Sequence, residues 1–203
     1  NRRTGRSSAM SPGPESTRGP ATATRSSSNS HGAACHALPR RLAAAAGAAE
    51  VLCVDSSSSA VQAVEENARL NAVTDRVATQ CGDVFEVTRE LRAAGERFDV
   101  VMLDPPAFIK RKKDLKEGTL AYRRLNEAAL GLVSRDGLLV TASCSFHMDR
   151  DNFLRTVQQA GRHADRHLQL LQAGQQGPDH PVHPAIAETA YLKAFYLRVL
   201  PTM

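Results

Sequence analysis

Short apolar runs alternate with longer amphipathic segments along most of the chain. The apolar runs predict strands at residues 51–54, 77–80, 98–103, 138–143, 167–172 and 191–200. Apolar residues at helical spacing predict helices at residues 41–49, 56–71, 86–94, 122–133 and 149–161. Strands that alternate with helices are typical of a parallel sheet with helices on both faces.

The last two strands depart from this alternation, since the connection between them contains Gly177, Pro178 and Pro181 and no convincing helix. They therefore predict an antiparallel element at the edge of the sheet. We expect an α/β fold with a doubly wound, mostly parallel sheet in a single domain, residues 41–203. A chain of 203 residues is long enough for such a domain to have a substantial core.

Residues 1–40 differ in composition from the rest, being rich in Ser, Arg, Pro and Gly. They carry six arginines and one glutamate, which account for the whole net charge of +5, because the remaining residues have equal numbers of basic and acidic side chains. We predict that residues 1–40 are a disordered basic leader. The basic isoelectric point therefore gives no evidence that the folded domain binds nucleic acid.

Cysteine usage and hydropathy narrow the class of protein further. Cys35, Cys53, Cys81 and Cys144 are scattered without a CxxC pair, which argues against a zinc site and a disulfide framework. No apolar run approaches the roughly 20 residues that span a bilayer, and no signal-peptide pattern is present. We expect a cytoplasmic protein without a metal and without a membrane partner.

Acidic residues stand at the ends of three predicted strands. Asp55 and Asp104 follow their strands directly, and Asp83 follows Gly82. Open α/β sheets bind ligands at the carboxyl ends of their strands, where a carboxylate can accept hydrogen bonds from both hydroxyls of a ribose. Asp is also common in turns and helix caps. Three acids in register favour a cofactor that contains a nucleoside.

The segment Asp104-Pro105-Pro106-Ala107-Phe108 is more specific, because tandem prolines after a buried strand give a rigid loop. A flat base could lie against Pro106 and Phe108 with Asp104 at its polar edge. Cys144 ends the next strand and is expected to face the same crevice. A lone cysteine is more often a small core residue, but a thiolate near a helix start is stabilised.

Residues 49–200 resemble the class I methyltransferases that form 5-methylcytosine in large-subunit ribosomal RNA. The stretches that carry the resemblance are Val54-Asp55-Ser56-Ser57, Gly82-Asp83-Val84-Phe85, Phe98–Phe108, Ser143-Cys144-Ser145, Asp179-His180-Pro181-Val182 and Tyr191-Leu192-Lys193.

The resemblance implies a Rossmann-like fold and S-adenosylmethionine as the methyl donor. It implies that Asp55 binds the ribose, that Asp83 lies by the adenine, and that Ser56 and Val84 belong to the same cofactor site. It also implies that Asp104 borders both cofactor and active site. It further implies that Cys144 is the nucleophile and that large-subunit ribosomal RNA is the partner. The residues themselves place Pro105, Pro106 and Phe108 on the substrate side. Lys110 follows on the same loop and either contacts RNA phosphates or belongs to a solvated surface. A second copy of the chain is a further candidate partner.

The chain departs from this family near its start. A first strand with a Gly-rich loop is not recognisable in residues 1–48, and neither is an RNA-binding domain. We expect a methyltransferase domain that lacks its first strand, with a leader that is not native to the fold. Two alternatives stay open: a methyltransferase for another RNA base with Cys144 structural, or a non-catalytic remnant.

Overall fold

The computed structural model describes residues 48–201. Six strands and four α-helices follow one another in that range. In chain order they are β1 (Val51–Asp55), α1 (Ser58–Leu70), β2 (Val77–Cys81), α2 (Val84–Ala93), β3 (Phe98–Leu103), α3 (Leu115–Leu130), β4 (Val133–Ser143), α4 (Arg150–His163), β5 (Arg166–Gly174) and β6 (Lys193–Pro201). The predicted α/β alternation is confirmed.

The strands form two hydrogen-bonded sheets. β1 pairs with β2 in parallel, and a second sheet has the order β3-β4-β6-β5. In the second sheet β3 and β4 are parallel, while β6 is antiparallel to both β4 and β5. β3, β4 and β5 therefore point the same way and β6 is reversed. This confirms the antiparallel element, which lies one place in from the edge because β5 pairs on its outer side.

Helices cover both faces of these strands. Successive strand residues point to opposite faces. On β3, Val101 belongs to one core cluster and Met102 packs against the other. On β1, Leu52 packs against the first cluster and Cys53 belongs to the second. The two sheets thus share the same two layers, with α2, α3 and α4 over the first cluster and α1 over the second.

The two sheets are separated between β1 and β3, which are not hydrogen-bonded neighbours. Within residues 48–201 no strand precedes β1 in the chain, and no strand is hydrogen-bonded between β1 and β3 to join the two sheets. An open cavity of about 510 Å³ lies at the amino ends of β1, β2 and β3, lined by Val51, Val77 and Phe98 among others. The cavity is at the opposite end of the strands from Asp55 and Asp104.

Three predicted helix starts are wrong. α1 begins at Ser58 rather than Ser56, because the Ser57 side chain caps the helix. α2 begins at Val84 rather than Glu86, because the Asp83 carboxylate accepts hydrogen bonds from the Phe85 and Glu86 amides and caps the helix. α3 begins at Leu115 rather than Tyr122, and a 3-10 turn at Lys112–Asp114 precedes it, so the charged segment at residues 110–116 is partly helical.

β4 begins at Val133 rather than Leu138, and residues 135–137 form a bulge inside the strand. Asp136 adopts a φ of 62° there. A Cβ on Gly137 would lie 2.9 Å from the Asp99 carbonyl oxygen, so the close approach to β3 requires glycine.

Two further predictions fall mostly outside the described residues. These are the leader at residues 1–40 and the helix at residues 41–49, of which Ala48 and Ala49 are described and are not helical.

Candidate active site

The predicted site residues are collected at the carboxyl ends of the strands. Asp55 is the last residue of β1, and Asp104 directly follows β3. Cys144 directly follows β4, the hydrogen-bonded neighbour of β3. The parallel register pairs Leu103 with Thr141, so Asp104 and Cys144 emerge at the same edge of the sheet.

Cys144 and the Asp-Pro-Pro loop are in direct contact. The Cys144 thiol donates a hydrogen bond to the Pro105 carbonyl oxygen, with Sγ and O 3.8 Å apart. Pro105 is buried, whereas Asp104, Pro106 and Cys144 are each partly exposed. The thiol is therefore held against the loop while a face of the cysteine remains open to a ligand. The structure thus brings the two halves of the predicted site together.

Phe108 connects the Asp-Pro-Pro loop to the hydrophobic core. Its ring lies 4.7 Å from the ring of Tyr122, which in turn makes an edge contact with Phe153. Lys110 is exposed at the far end of the same loop. The predicted substrate residues therefore run from the buried Pro105 to an exposed cation over six positions.

Ser145 anchors the segment that carries the cysteine. Its hydroxyl lies 2.8 Å from the Tyr122 hydroxyl and accepts a hydrogen bond from the Ile109 amide at 3.1 Å. Its carbonyl oxygen accepts a hydrogen bond from the Lys193 ammonium at 2.6 Å. Ser145 and Tyr122 are completely buried. These bonds tie the cysteine segment to the loop after Asp104, to α3 and to β6.

Burial changes the titration of two groups beside Cys144. Burial raises the pKa of Tyr122, and hydrogen bonds to Ser143 and Ser145 oppose the rise. Burial lowers the pKa of Lys193 to about 8, and the charge of Cys144 opposes that fall. Tyr122 is thus a neutral hydrogen-bonding phenol at pH 7, while Lys193 is still mostly protonated.

The two acids predicted to bind a nucleoside have local structural roles as well. The Asp55 carboxylate is buried and accepts a hydrogen bond from the Ser57 amide at 2.9 Å. Ser56 is exposed, and its carbonyl oxygen accepts from the Cys81 thiol at 3.8 Å. Asp83 is exposed and caps α2, whereas the Val84 side chain is buried in the first core cluster. A ligand can therefore meet Val84 through its backbone and not through its side chain.

These residues fit one half of S-adenosylmethionine. A buried carboxylate at the end of β1 suits the hydroxyl pair of a ribose, and the exposed Asp83 lies beyond the end of the neighbouring β2. The described residues place no glycine between Ala48 and Cys81, so they supply no Gly-rich loop for the methionine half. The fit is therefore to the nucleoside.

The sequence alone assigns no role to Lys193 or to the Tyr122 hydroxyl. Tyr122 does pack, but it also holds Ser145. A signal for Lys193 exists in the alternation of β6, where Lys193 shares its face with the buried Phe195, Leu197 and Val199. A lysine in a row of buried apolar positions indicates a specific partner.

The Asp179-His180 motif lies in the connection between β5 and β6. Asp179 and His180 are exposed, and the His180 imidazole lies 3.1 Å from the Asp179 carboxylate. Residues 48–201 contain no group of three or more His, Cys, Asp or Glu side chains placed to hold a metal ion. Among the same residues, no helix has the length and apolar character needed to cross a membrane.

Comparison with known proteins relates the chain to RNA-modifying enzymes. Residues 41–137 match the family model described as conserved hypothetical protein 95. A candidate ribosomal RNA large-subunit methyltransferase of Methanocaldococcus jannaschii is 40% identical over 157 residues, which are 77% of this chain and 40% of the relative. Ribosomal RNA large subunit methyltransferase I of Shewanella denitrificans is 38% identical over 158 residues, again 77% and 40%. The chain spans about two fifths of the length of these relatives.

Solved structures show the same fold. SMU.776, a candidate methyltransferase crystallised with S-adenosylhomocysteine, superposes with a TM-score of 0.72 at 19% identity, over 87% of this chain and 44% of the other. A methyltransferase homologue from Pyrococcus horikoshii gives a TM-score of 0.61 at 18% identity, over 89% and 61%. The chain therefore has the Rossmann-like fold of the S-adenosylmethionine-dependent methyltransferases, and its sequence is similar to one part of the large-subunit ribosomal RNA methyltransferases named above.

Proposed function

We propose that this chain is the catalytic part of an S-adenosylmethionine-dependent methyltransferase that forms 5-methylcytosine in large-subunit ribosomal RNA, with Cys144 as the nucleophile. The observation that carries the proposal is the contact between the Cys144 thiol and the Pro105 carbonyl. It joins a partly exposed cysteine to the loop of Asp104 at the carboxyl ends of the strands, where open α/β sheets bind their ligands. The names of the relatives support ribosomal RNA as the substrate.

The chemistry of cytosine explains why a cysteine belongs there. C5 of cytosine is a poor nucleophile towards a methyl sulfonium. Addition of the Cys144 thiolate to C6 forms an S–C6 bond and moves electron density to C5, which can then take the methyl group. Loss of the C5 proton restores the double bond and breaks the S–C6 bond, which releases the cysteine. Transfer to an exocyclic amine would need no thiol.

Asp104 is assigned to the polar edge of the base. Negative charge builds on the ring as the thiolate adds, and a carboxyl group near N3 would stabilise it by sharing a proton. Asp104 is partly exposed and directly precedes the proline whose carbonyl contacts Cys144. Pro106 and Phe108 would form the apolar wall against which the base lies.

The bound cofactor would supply the methyl group, and this chain would hold its nucleoside half. Asp55 and Ser56 at the end of β1 would bind the ribose, and Asp83 with the Val84 backbone would border the adenine. Lys110 is exposed on the loop after the tandem prolines and would contact phosphate, which carries most of the salt-dependent affinity for RNA.

Product analysis tests the proposal. The protein is incubated with labelled S-adenosylmethionine and large-subunit ribosomal RNA, the RNA is digested, and the labelled nucleosides are separated. We expect 5-methylcytidine, a loss of about 100-fold or more in C144A, and near-normal yield in the control L170A, whose side chain is exposed on the outer strand β5. A different methylated base, with C144A unimpaired, would overturn the cysteine mechanism.

Calorimetry with S-adenosylhomocysteine provides a separate check on the same protein. We expect measurable binding that weakens in D55A. A folded protein with no detectable binding would contradict the proposal and leave a non-catalytic remnant as the better description.

A further inference from the structure

Lys193 occupies an unusual place for a lysine. It is the first residue of β6, where it pairs across the antiparallel register with Ser143, the last residue of β4. Its side chain is 6% exposed and points to the same face as Phe195 and Leu197. The next residue of the β4 segment after Ser143 is Cys144. Lys193 is thus a buried cation beside the residue that carries the thiol.

The ammonium group has one defined hydrogen bond, to the Ser145 carbonyl oxygen at 2.6 Å. That carbonyl belongs to the residue after Cys144, so the bond fixes the backbone of the cysteine segment. Ser145 is held from its other side by Tyr122 and the Ile109 amide. The Lys193 bond therefore limits how far the Cys144 thiol can move away from the Pro105 carbonyl.

Burying this ammonium is unfavourable, because a charged group loses its hydration. A methionine of similar length would fill the space without that loss, so packing alone does not explain a lysine. The charged groups that act on Lys193 are Cys144 and Asp149, which favour its cationic form, and Arg150, which opposes it. The interaction between Lys193 and Cys144 is mutual, since a cation that is stabilised by a thiolate also stabilises that thiolate.

We propose that Lys193 is a positioning residue for Cys144: its ammonium group fixes the Ser145 carbonyl and keeps a positive charge beside the thiolate. The inference rests on the proposed function, since Lys193 would act only by stabilising the thiolate of the proposed nucleophile, Cys144. A thiolate is the reactive form of cysteine, and a neighbouring cation increases its population at neutral pH. Lys193 itself has no assigned contact with the base.

Alkylation measures the thiolate without methyl transfer. The protein is treated with iodoacetamide between pH 5.5 and 9.5, the thiolate sulfur displaces iodide, and labelled peptides are quantified by mass spectrometry. Cys81 is an exposed free cysteine in the same molecule and serves as the internal reference. Three proteins are compared: wild type, K193M, which removes the charge, and K193R, which keeps it.

We expect the alkylation rate of Cys144 at pH 7 to fall about 3- to 10-fold in K193M. This corresponds to a pH midpoint for thiolate formation that is higher by roughly half a pH unit to one pH unit. We expect K193R to recover much of the rate and Cys81 to react alike in all three proteins. An unchanged Cys144 midpoint in folded K193M would overturn the inference. So would equal losses in K193M and K193R, which would show that the role of Lys193 is steric.

A urea titration shows whether K193M is folded. If K193M does not unfold cooperatively, the pH profile of alkylation in the wild-type protein tests the inference instead. The Cys144 midpoint is then expected at or below that of Cys81, and a clearly higher midpoint overturns the inference. The result of this experiment can refute the role of Lys193 without refuting the proposed function. A stabilised thiolate in a protein that forms no 5-methylcytidine would support the role of Lys193 and contradict the proposed reaction. A protein that forms 5-methylcytidine but whose Cys144 thiolate does not depend on Lys193 would support the reaction and contradict the role of Lys193.

Discussion

The hydroxyl of Ser145 is expected to be the main polar anchor of the cysteine segment. S145A removes this hydroxyl and leaves two buried donors without their present partner, the Ile109 amide and the Tyr122 hydroxyl. A buried donor without a partner costs about 1–3 kcal/mol. Ser143 also hydrogen-bonds to the Tyr122 phenol and can accept from it in the variant. We therefore expect S145A to lower the free energy of unfolding by about 2–4 kcal/mol.

Y122F provides the other edge of a double-mutant cycle. It removes the phenol hydroxyl but leaves Ser145 bonded to the Ile109 amide, so the expected loss is about 1 kcal/mol. In the double variant only the Ile109 amide is left without its partner. The combined loss should therefore fall short of the sum of the single losses by about 1 kcal/mol.

Urea unfolding followed by circular dichroism gives the three free energies, and an unchanged m-value shows that the same cooperative transition is compared. The reasoning would be refuted by a loss below about 0.5 kcal/mol in S145A, or by single losses that add within about 0.3 kcal/mol. Either result would mean that the contacts around Ser145 are not a coupled buried network.

Three other predictions concern single features of the fold. In G118A the new methyl group would lie 2.9 Å from the Phe108 carbonyl oxygen and 2.3 Å from the Ile109 side chain, so we expect a net loss of about 1–3 kcal/mol in urea unfolding despite the better helix propensity of alanine. The pKa of Lys193 is lowered to about 8 in the folded protein, so the unfolded chain binds more protons than the folded protein above that pH. The free energy of unfolding should therefore rise from pH 8 to 9.5 by up to about 1.4 kcal/mol per pH unit. K193M should lack this rise. D83A and D149A each remove a helix N-cap and should each cost about 1 kcal/mol, but only D83A should weaken S-adenosylhomocysteine binding in calorimetry; equal affinities would remove Asp83 from the cofactor site.

The features that sequence predicts well here are local. β3 is correct in both bounds because an apolar run ends at two prolines, which cannot continue the ladder. The position of Cys144 at the end of β4 follows in the same way from the apolar run before it. Both follow from residues that are adjacent in the chain. The expectation that they meet at one edge comes from the alternation of strands and helices, which predicts a parallel sheet.

The features that were missed depend on contacts between distant residues. The first turns of α3 contain Gly118, a weak helix former, yet the helix forms because Gly118 packs against the backbone of Phe108. β4 continues through Asp136 because β3 pairs with Val133 on the far side of the bulge. The role of Lys193 becomes visible when β6 pairs with β4, which places residues fifty positions apart side by side.

Covalent trapping tests the central claim most directly. RNA that contains 5-fluorocytidine cannot lose a proton from C5 after methyl transfer, so a cysteine bonded to C6 stays attached to the base. With S-adenosylmethionine present, the account predicts an RNA adduct that survives denaturing electrophoresis, maps by mass spectrometry to the peptide of Cys144, and is missing in C144A. Methyl transfer to the RNA without any adduct, or an adduct that maps to another cysteine, would contradict it.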